Sequence, residues 1–191
     1  MATQSHRKFM TYEEFEALPR EGMITMLLDG EYVVLVSPTK RHQRIIGRLH
    51  LRLGNFLEAH PELGEVYLAP LDVVLSREAR RVIQPDIFFI SRERRDRAEG
   101  TLIEGMPDLA IEVLSRDANR YDKGKKLQYY DEYDTSELWH VWQDKPKIEV
   151  FRRDAAGRLR LALEVGRADL LQTPLLPGFE LDTAALYRDL L

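Results

Sequence analysis

Leu109-Ala110-Ile111-Glu112-Val113-Leu114 sets one carboxylate among five apolar residues, directly after Pro107-Asp108. A short apolar run bounded in this way reads as a buried central strand. An isolated ionised carboxylate in such a place is strongly unfavourable, or shifts its pKa until it is neutral. Glu112 therefore needs a metal ion, a lysine or a set of backbone donors. The alternative is a strand-edge position from which it reaches water or an arginine.

Working outward, Pro85-Asp86 precedes a second apolar strand, Ile87-Phe88-Phe89-Ile90. Alone, Asp86 reads as a turn acid after proline. Two acids on adjacent central strands instead make a pair of hard oxygen ligands suited to Mg²⁺ or Mn²⁺, ions that need only one or two protein carboxylates.

The flanking sequence supplies helices and further strands. Thr11-Tyr12-Glu13-Glu14 is a capping box opening a short helix that ends at Pro19. Leu27 to Ser37 reads as two strands around an Asp29-Gly30 turn. A long helix is expected from about Arg41 to His60, with Ile46, Leu49, Leu53, Phe56 and Leu57 at helical spacing and Arg44, Arg48 and Arg52 opposite. Strands follow at about Glu65–Ala69, Asp72–Leu75 and Asp86–Ile90, with an Arg-rich turn, Ser76–Arg81, between the last two. After the Glu112 strand come a helix from Asp122 to Tyr133, a hairpin of Leu138–Trp142 and Lys147–Phe151, a strand over Arg158–Val165 and a last short helix after Thr183. This order predicts an α/β (α+β) protein, a mixed sheet flanked by helices. No repeat or linker divides the 191 residues, so one domain is expected, with its core over about 24–152.

Composition narrows the function classes. Hydrophobic residues make up 44% and charged residues 31%, the balance of an ordinary folded protein, and the net charge is −4. There is no cysteine, hence no disulfide and no thiolate chemistry. The apolar runs are too short to span a bilayer and the first residues lack a secretory pattern, so no membrane association and a cytoplasmic location are expected. A mildly acidic chain does not coat nucleic acid non-specifically. It does carry local cationic clusters at Arg77-Arg81, Arg92–Arg97 and Arg116 through Lys126, each of which also reads as a solvated surface. No phosphate loop, nucleophile elbow or zinc-protease signature is present.

The arrangement resembles a known family. Leu28-Asp29-Gly30-Glu31, Ser37-Pro38, His42-Gln43, Ala69-Pro70-Leu71-Asp72-Val73, Gln84-Pro85-Asp86, Pro107-Asp108-Leu109, Glu112-Val113-Leu114-Ser115, Tyr121-Asp122, Lys126 and Leu176-Pro177-Gly178-Phe179 occur in the order found in the Uma-two family of the PD-(D/E)xK nuclease superfamily. The match covers about residues 10 to 187. The resemblance implies a restriction-endonuclease-like core with Asp86 and Glu112 as ligands of Mg²⁺ or Mn²⁺. It also implies a metal-dependent endonuclease acting on nucleic acid, with DNA the expected substrate and a homodimer plausible by analogy.

Two departures from the superfamily pattern matter. Leu114 stands where the signature has its lysine, and the family supplies that lysine from the following helix, where Lys126 matches. Lys126 shares a helix face with Tyr130 and Tyr133, and Lys123 is a competing candidate on the face of Leu127 and Tyr130. Met26 stands where the family commonly has a glutamate; Glu31, beyond the turn, is a partial substitute. Gln84 is a further site-lining candidate. His42, on the helix face of Ile45, Ile46 and Leu49, reads either as a proton carrier or substrate contact, or as a satisfied core histidine. Tyr121, Tyr129, Tyr130 and Tyr133 read as base-stacking or core residues. Arg116, Arg120 and the Arg92–Arg97 cluster are candidates for backbone-phosphate contacts. Met26 and Leu114 together support an alternative: a nuclease-like domain that binds nucleic acid or a protein partner without cutting. A hydrolase of small phosphoesters would share the metal.

Overall fold

A computed structural model describes residues 8–19, 24–35, 37–115 and 120–190, with the backbone alone for 120–123. The elements in chain order are β1 (Lys8–Phe9), α1 (Tyr12–Glu16), β2 (Thr25–Leu28), β3 (Glu31–Val34), α2 (Lys40–Ala59), β4 (Gly64–Leu68), β5 (Val73–Ser76), β6 (Arg81–Ile83) and β7 (Ile87–Ser91). A 3₁₀ helix (Arg92–Ala98) leads to β8 (Ile103–Glu104), β9 (Leu109–Leu114), α3 (Arg120–Glu132), β10 (Glu137–Trp142), β11 (Lys147–Arg153), β12 (Leu159–Val165), β13 (Leu170–Gln172), β14 (Glu180–Asp182) and α4 (Thr183–Leu186).

Local chemistry accounts for the helix starts. The Thr11 hydroxyl accepts from the Glu14 N–H at 3.2 Å, and the Glu14 carboxylate accepts from the Thr11 N–H at 2.8 Å, the reciprocal pair of a capping box. The Thr39 hydroxyl accepts from the His42 N–H at 3.2 Å and donates to Gln143 Oε1 at 2.8 Å, so the first turn of α2 is tied to the residue after β10. Asp29 and Gly30 both have positive φ, 53° and 84°, as a tight two-residue hairpin turn requires.

The mixed α/β class is as expected, but the strands form two six-stranded sheets rather than one. One runs β1-β3-β2-β6-β5-β8, the other β12-β11-β10-β9-β7-β4, and β13 pairs with β14 in a ribbon. The division arises because a short strand, β6, follows the Arg-rich turn, bonds to both β2 and β5 and completes the first sheet. The second sheet is mixed: β9 is antiparallel to β7 and parallel to β10. The β10–β11 hairpin is interior to this sheet, and Trp139 is fully buried.

Two packed layers surround the second sheet. The apolar stripe of α2, Ile45, Leu49, Leu53 and Leu57, packs with Ile87, Phe89, Leu109 and Ile111. Alternate residues point the other way, so Phe88, Ile90, Ala110 and Leu138 pack with Met26 and Leu28 of the first sheet and with Tyr129 and Tyr130 of α3. Arg48 extends from α2 to the carbonyls of Leu186 at 2.8 Å and Arg188 at 2.7 Å, engaging the C-terminal end of α4. Among the described residues no helix is long and apolar enough to cross a membrane.

Candidate functional site

Strand register brings the two acids together. Ile87 pairs with Ile111 across β7 and β9, and continuing that antiparallel register by one residue sets Asp86 level with Glu112. A backbone bond confirms the approach: the Val113 N–H donates to Asp86 Oδ2 at 2.7 Å. His42 reaches the same oxygen from α2, with Nε2 3.3 Å away.

Glu112 is 6% exposed. Lys126 and Tyr130, one turn apart on α3, converge on its Oε1: the ammonium lies 2.5 Å away and the phenol donates at 2.5 Å. No donor among the described residues reaches Oε2. Burial pushes the Glu112 pKa up to about 7 by stripping hydration from the charged form; Lys126 opposes this, the Asp86 charge adds to it, and the Tyr130 hydroxyl also pulls down. Lys126 further donates to the Gln84 carbonyl at 3.4 Å. The Gln84 side chain donates to buried Asp72 at 2.6 Å, while its Oε1 is buried without a hydrogen-bond partner.

The remaining candidates fall in different places. His42 is not a satisfied core histidine: its Nδ1 is buried without a hydrogen-bond partner and its other nitrogen faces Asp86. Glu31 is buried on β3, level with Leu28 of the first sheet, and among the described residues it contacts neither Asp86 nor Glu112. Met26 is fully buried in the apolar layer beside Tyr130. The side chains of Lys123, Tyr121, Arg116 and Arg120 lie outside the described residues. Tyr129 and Tyr130 are core residues, at 1% and 0% exposure, and so unavailable for stacking on bases. Of the first cationic cluster, Arg77 pairs with Glu104, and Arg81 joins Asp29 at 2.6 Å and Glu132 at 2.8 Å while lying over the Tyr129 ring.

Two features escaped the sequence. Tyr130 matches the Lys126 face at i+4, but aromatic spacing of that kind reads as core, and nothing in it announced a hydroxyl on Glu112. His140, buried at 2%, is the β10 residue in register with Glu112, with Nδ1 3.8 Å from Glu149 on β11. Adjacent-strand register has no local sequence signal.

Among the described residues no three His, Cys, Asp or Glu side chains cluster in a metal cage. Two level carboxylates with one unengaged glutamate oxygen fit a divalent ion that keeps most of its water, such as Mg²⁺ or Mn²⁺.

Comparison with known proteins agrees with this architecture. A crystal structure described as "a putative nuclease belonging to DUF820" from Anabaena variabilis is similar at a TM-score of 0.80 and 19% identity, covering 95% of this chain and 99% of that one. At that identity the likeness shows the fold, which is restriction-endonuclease-like. No curated protein matches the sequence. The profile of Uma2, described as "Putative restriction endonuclease", matches residues 12–184. With almost its whole length matched, the chain belongs to the Uma2 family of restriction-endonuclease-like proteins.

Proposed function

We propose that the protein is a Mg²⁺- or Mn²⁺-dependent endonuclease that hydrolyses phosphodiester bonds of DNA. The observation that carries this reading is the pair Asp86 and Glu112, level on adjacent strands, with the Lys126 ammonium 2.5 Å from Glu112. Asp86 and Glu112 would hold the metal, which when bound activates water and offsets phosphoryl charge. The protein's own groups prepare that site. The Val113 N–H orients Asp86, and Tyr130 and Lys126 fix one oxygen of Glu112. Lys126 presents a fixed cation, 7% exposed, where negative charge develops on the phosphate. His42, with one nitrogen toward Asp86 and one unengaged, is placed to carry a proton at the mouth of the site.

The description of the family as restriction endonucleases supports DNA as the substrate. The test is calorimetric titration of Mg²⁺ and Mn²⁺ into the parent protein, Asp86→Ala and Glu112→Ala, followed by cleavage assays on DNA and RNA. Binding and cutting by the parent, both lost in each variant, support the assignment; cutting retained by either variant sinks it.

A second reading is favoured by Met26, which fills its site with an apolar side chain where the family pattern supplies a carboxylate, and by Leu114. On this reading the domain binds nucleic acid or a protein partner without hydrolysis. A parent protein that binds DNA but takes up neither cation in its presence would select it.

A further inference from the structure

The arginines after β7 are divided by their contacts. Two short 3₁₀ turns carry them, joined at a kink where Arg94 has φ −111° and ψ 18°. Arg94 and Arg97 turn inward: Arg94 lies 3.2 Å from Asp108 Oδ1, and Arg97 donates to the Met106 carbonyl. Arg92, Arg95 and Ala98 instead line a cavity of about 290 Å³. Both of these arginines are exposed, and among the described residues neither is ion-paired.

The cavity is built, not incidental. Ser91 borders it at the end of β7. The Tyr67 ring forms one wall, held by stacking on Phe88 with centroids 5.4 Å apart and by its hydroxyl donating to Glu65 at 2.5 Å. Gly64 forms the rim at φ 142°; a Cβ there would meet the Ile90 carbonyl at 2.1 Å, so only glycine keeps β4 this close to β7.

We propose that this cavity binds one nucleotide. Arg92 and Arg95 would take the phosphate. The base would lie against Tyr67, Ile90 and Ala98, with its N–H donors toward Glu65 and Glu99. The mixed charge selects this class: the two carboxylates repel a bare anion, but accept hydrogen bonds from an amino-substituted base. The volume lies at the low end of small-molecule sites, roughly 300–1,000 Å³, and suits one nucleotide rather than a duplex.

Asp86 precedes β7 and Ser91 ends it, so the cavity lies about 17 Å along the strand from the acidic pair at roughly 3.3 Å per residue. At about 3.4 Å of rise per nucleotide that is about five nucleotides. A nucleotide of the substrate strand can occupy it, which rests on the endonuclease reading; a free mononucleotide offers the same chemistry.

The experiment is a binding titration in EDTA, which silences the metal site. Deoxyadenosine monophosphate, deoxyadenosine, inorganic phosphate and a single-stranded deoxyoctanucleotide are each titrated into the parent, Arg92→Gln/Arg95→Gln and Arg77→Gln, a cation outside the cavity that pairs with Glu104. Circular dichroism checks that every variant is folded. The monophosphate should bind the parent, with deoxyadenosine and phosphate each weaker by at least about tenfold, the scale of one charge-assisted hydrogen bond. The double arginine variant should lose at least about tenfold, and Arg77→Gln nothing. If the octanucleotide affinity falls in parallel, the nucleotide comes from the substrate strand; if only monophosphate binding falls, it is a free effector. No monophosphate binding by the parent, unchanged affinity in the arginine variant, or phosphate binding as tightly as the nucleotide overturns the proposal. Absence of cleavage in a metal-supplemented assay would end the endonuclease reading and leave these binding results standing.

Discussion

Two buried glutamates on neighbouring strands, Glu112 on β9 and Glu137 on β10, have opposite surroundings. Glu137, 1% exposed, is satisfied on both oxygens: Trp139 Nε1 donates at 2.5 Å to one, and Arg152 Nε at 2.7 Å and the Thr173 hydroxyl at 3.1 Å donate to the other. It fastens β10 to β11 and to the loop that joins β13 to β14. Glu112 receives Lys126 and Tyr130 on one oxygen only, and burial pushes its pKa up to about 7. The lesson is that burial of a carboxylate does not by itself mark function. Donors on both oxygens make a structural tie, whereas an unengaged oxygen in a water-poor layer is a ligand position.

The comparison breaks most readily through activity. Glu112→Ala and Asp86→Ala should each lower metal-dependent cleavage by about a thousandfold or more, the scale of removing a fixed electrostatic group from a closed site. Near-parent turnover in Glu112→Ala would place Glu112 with Glu137 as a structural residue. Glu137→Ala should behave in the opposite way, losing about 3–5 kcal/mol of stability by urea unfolding, because buried donors are left unpaired, while Mg²⁺ uptake is unchanged. A loss below about 1 kcal/mol would show that its three donors find water instead.

Lys126→Met should reduce turnover by roughly a hundredfold with little change in KM, since its cation acts where charge develops. Equal loss in KM would assign it to ground-state binding.

The pH dependence follows from the sign of the Glu112 shift. Its folded pKa of about 7 lies above the ordinary 4.5, so its contribution to stability is full below 4.5 and is lost as pH rises through about 7. Metal-free protein should therefore be more stable at pH 6 than at pH 8 by about 1 kcal/mol from this group, and Glu112→Gln should flatten that difference. Mg²⁺ affinity should run the other way, climbing up to about tenfold per pH unit below 7 and levelling above it, because the ligand must be ionised. Titrations in EDTA and in Mg²⁺ check both signs. The smallest effect belongs to the half-exposed pair of Arg77 and Glu104: Arg77→Ala should cost less than about 1 kcal/mol despite its two hydrogen bonds.

Much of the site was legible because it violates the pattern around it. Glu112 interrupts an apolar strand and Asp86 opens another, and each violation survives folding as a carboxylate at one end of β7 and β9. The two helix lysines could not be separated by periodicity, since Lys123 and Lys126 both share a face with Tyr130; the contact to Glu112 is formed by Lys126. Periodicity also favoured a core role for His42, yet Nδ1 is unpartnered and Nε2 meets Asp86, because Thr39 anchors that turn to Gln143. The arginines after β7 looked like one cluster, and only their tertiary contacts, Arg94 with Asp108 and Arg97 with the Met106 carbonyl, separate them from Arg92 and Arg95. The strand β6 after the Arg-rich turn and the short pairing of β13 with β14 went unread, since strands of three residues carry too little alternation to declare themselves.

The sequence by itself determined the order of the longer helices and strands, the capping box at Thr11, and that Glu112 and Asp86 stand beside apolar strands, because propensity, capping and burial act within a few residues. The tertiary structure alone decided that there are two sheets, that Asp86 stands level with Glu112, and that Lys126 and Tyr130 close on one oxygen. Register and packing join residues 14 to 27 positions apart, and no local pattern encodes the distance between them.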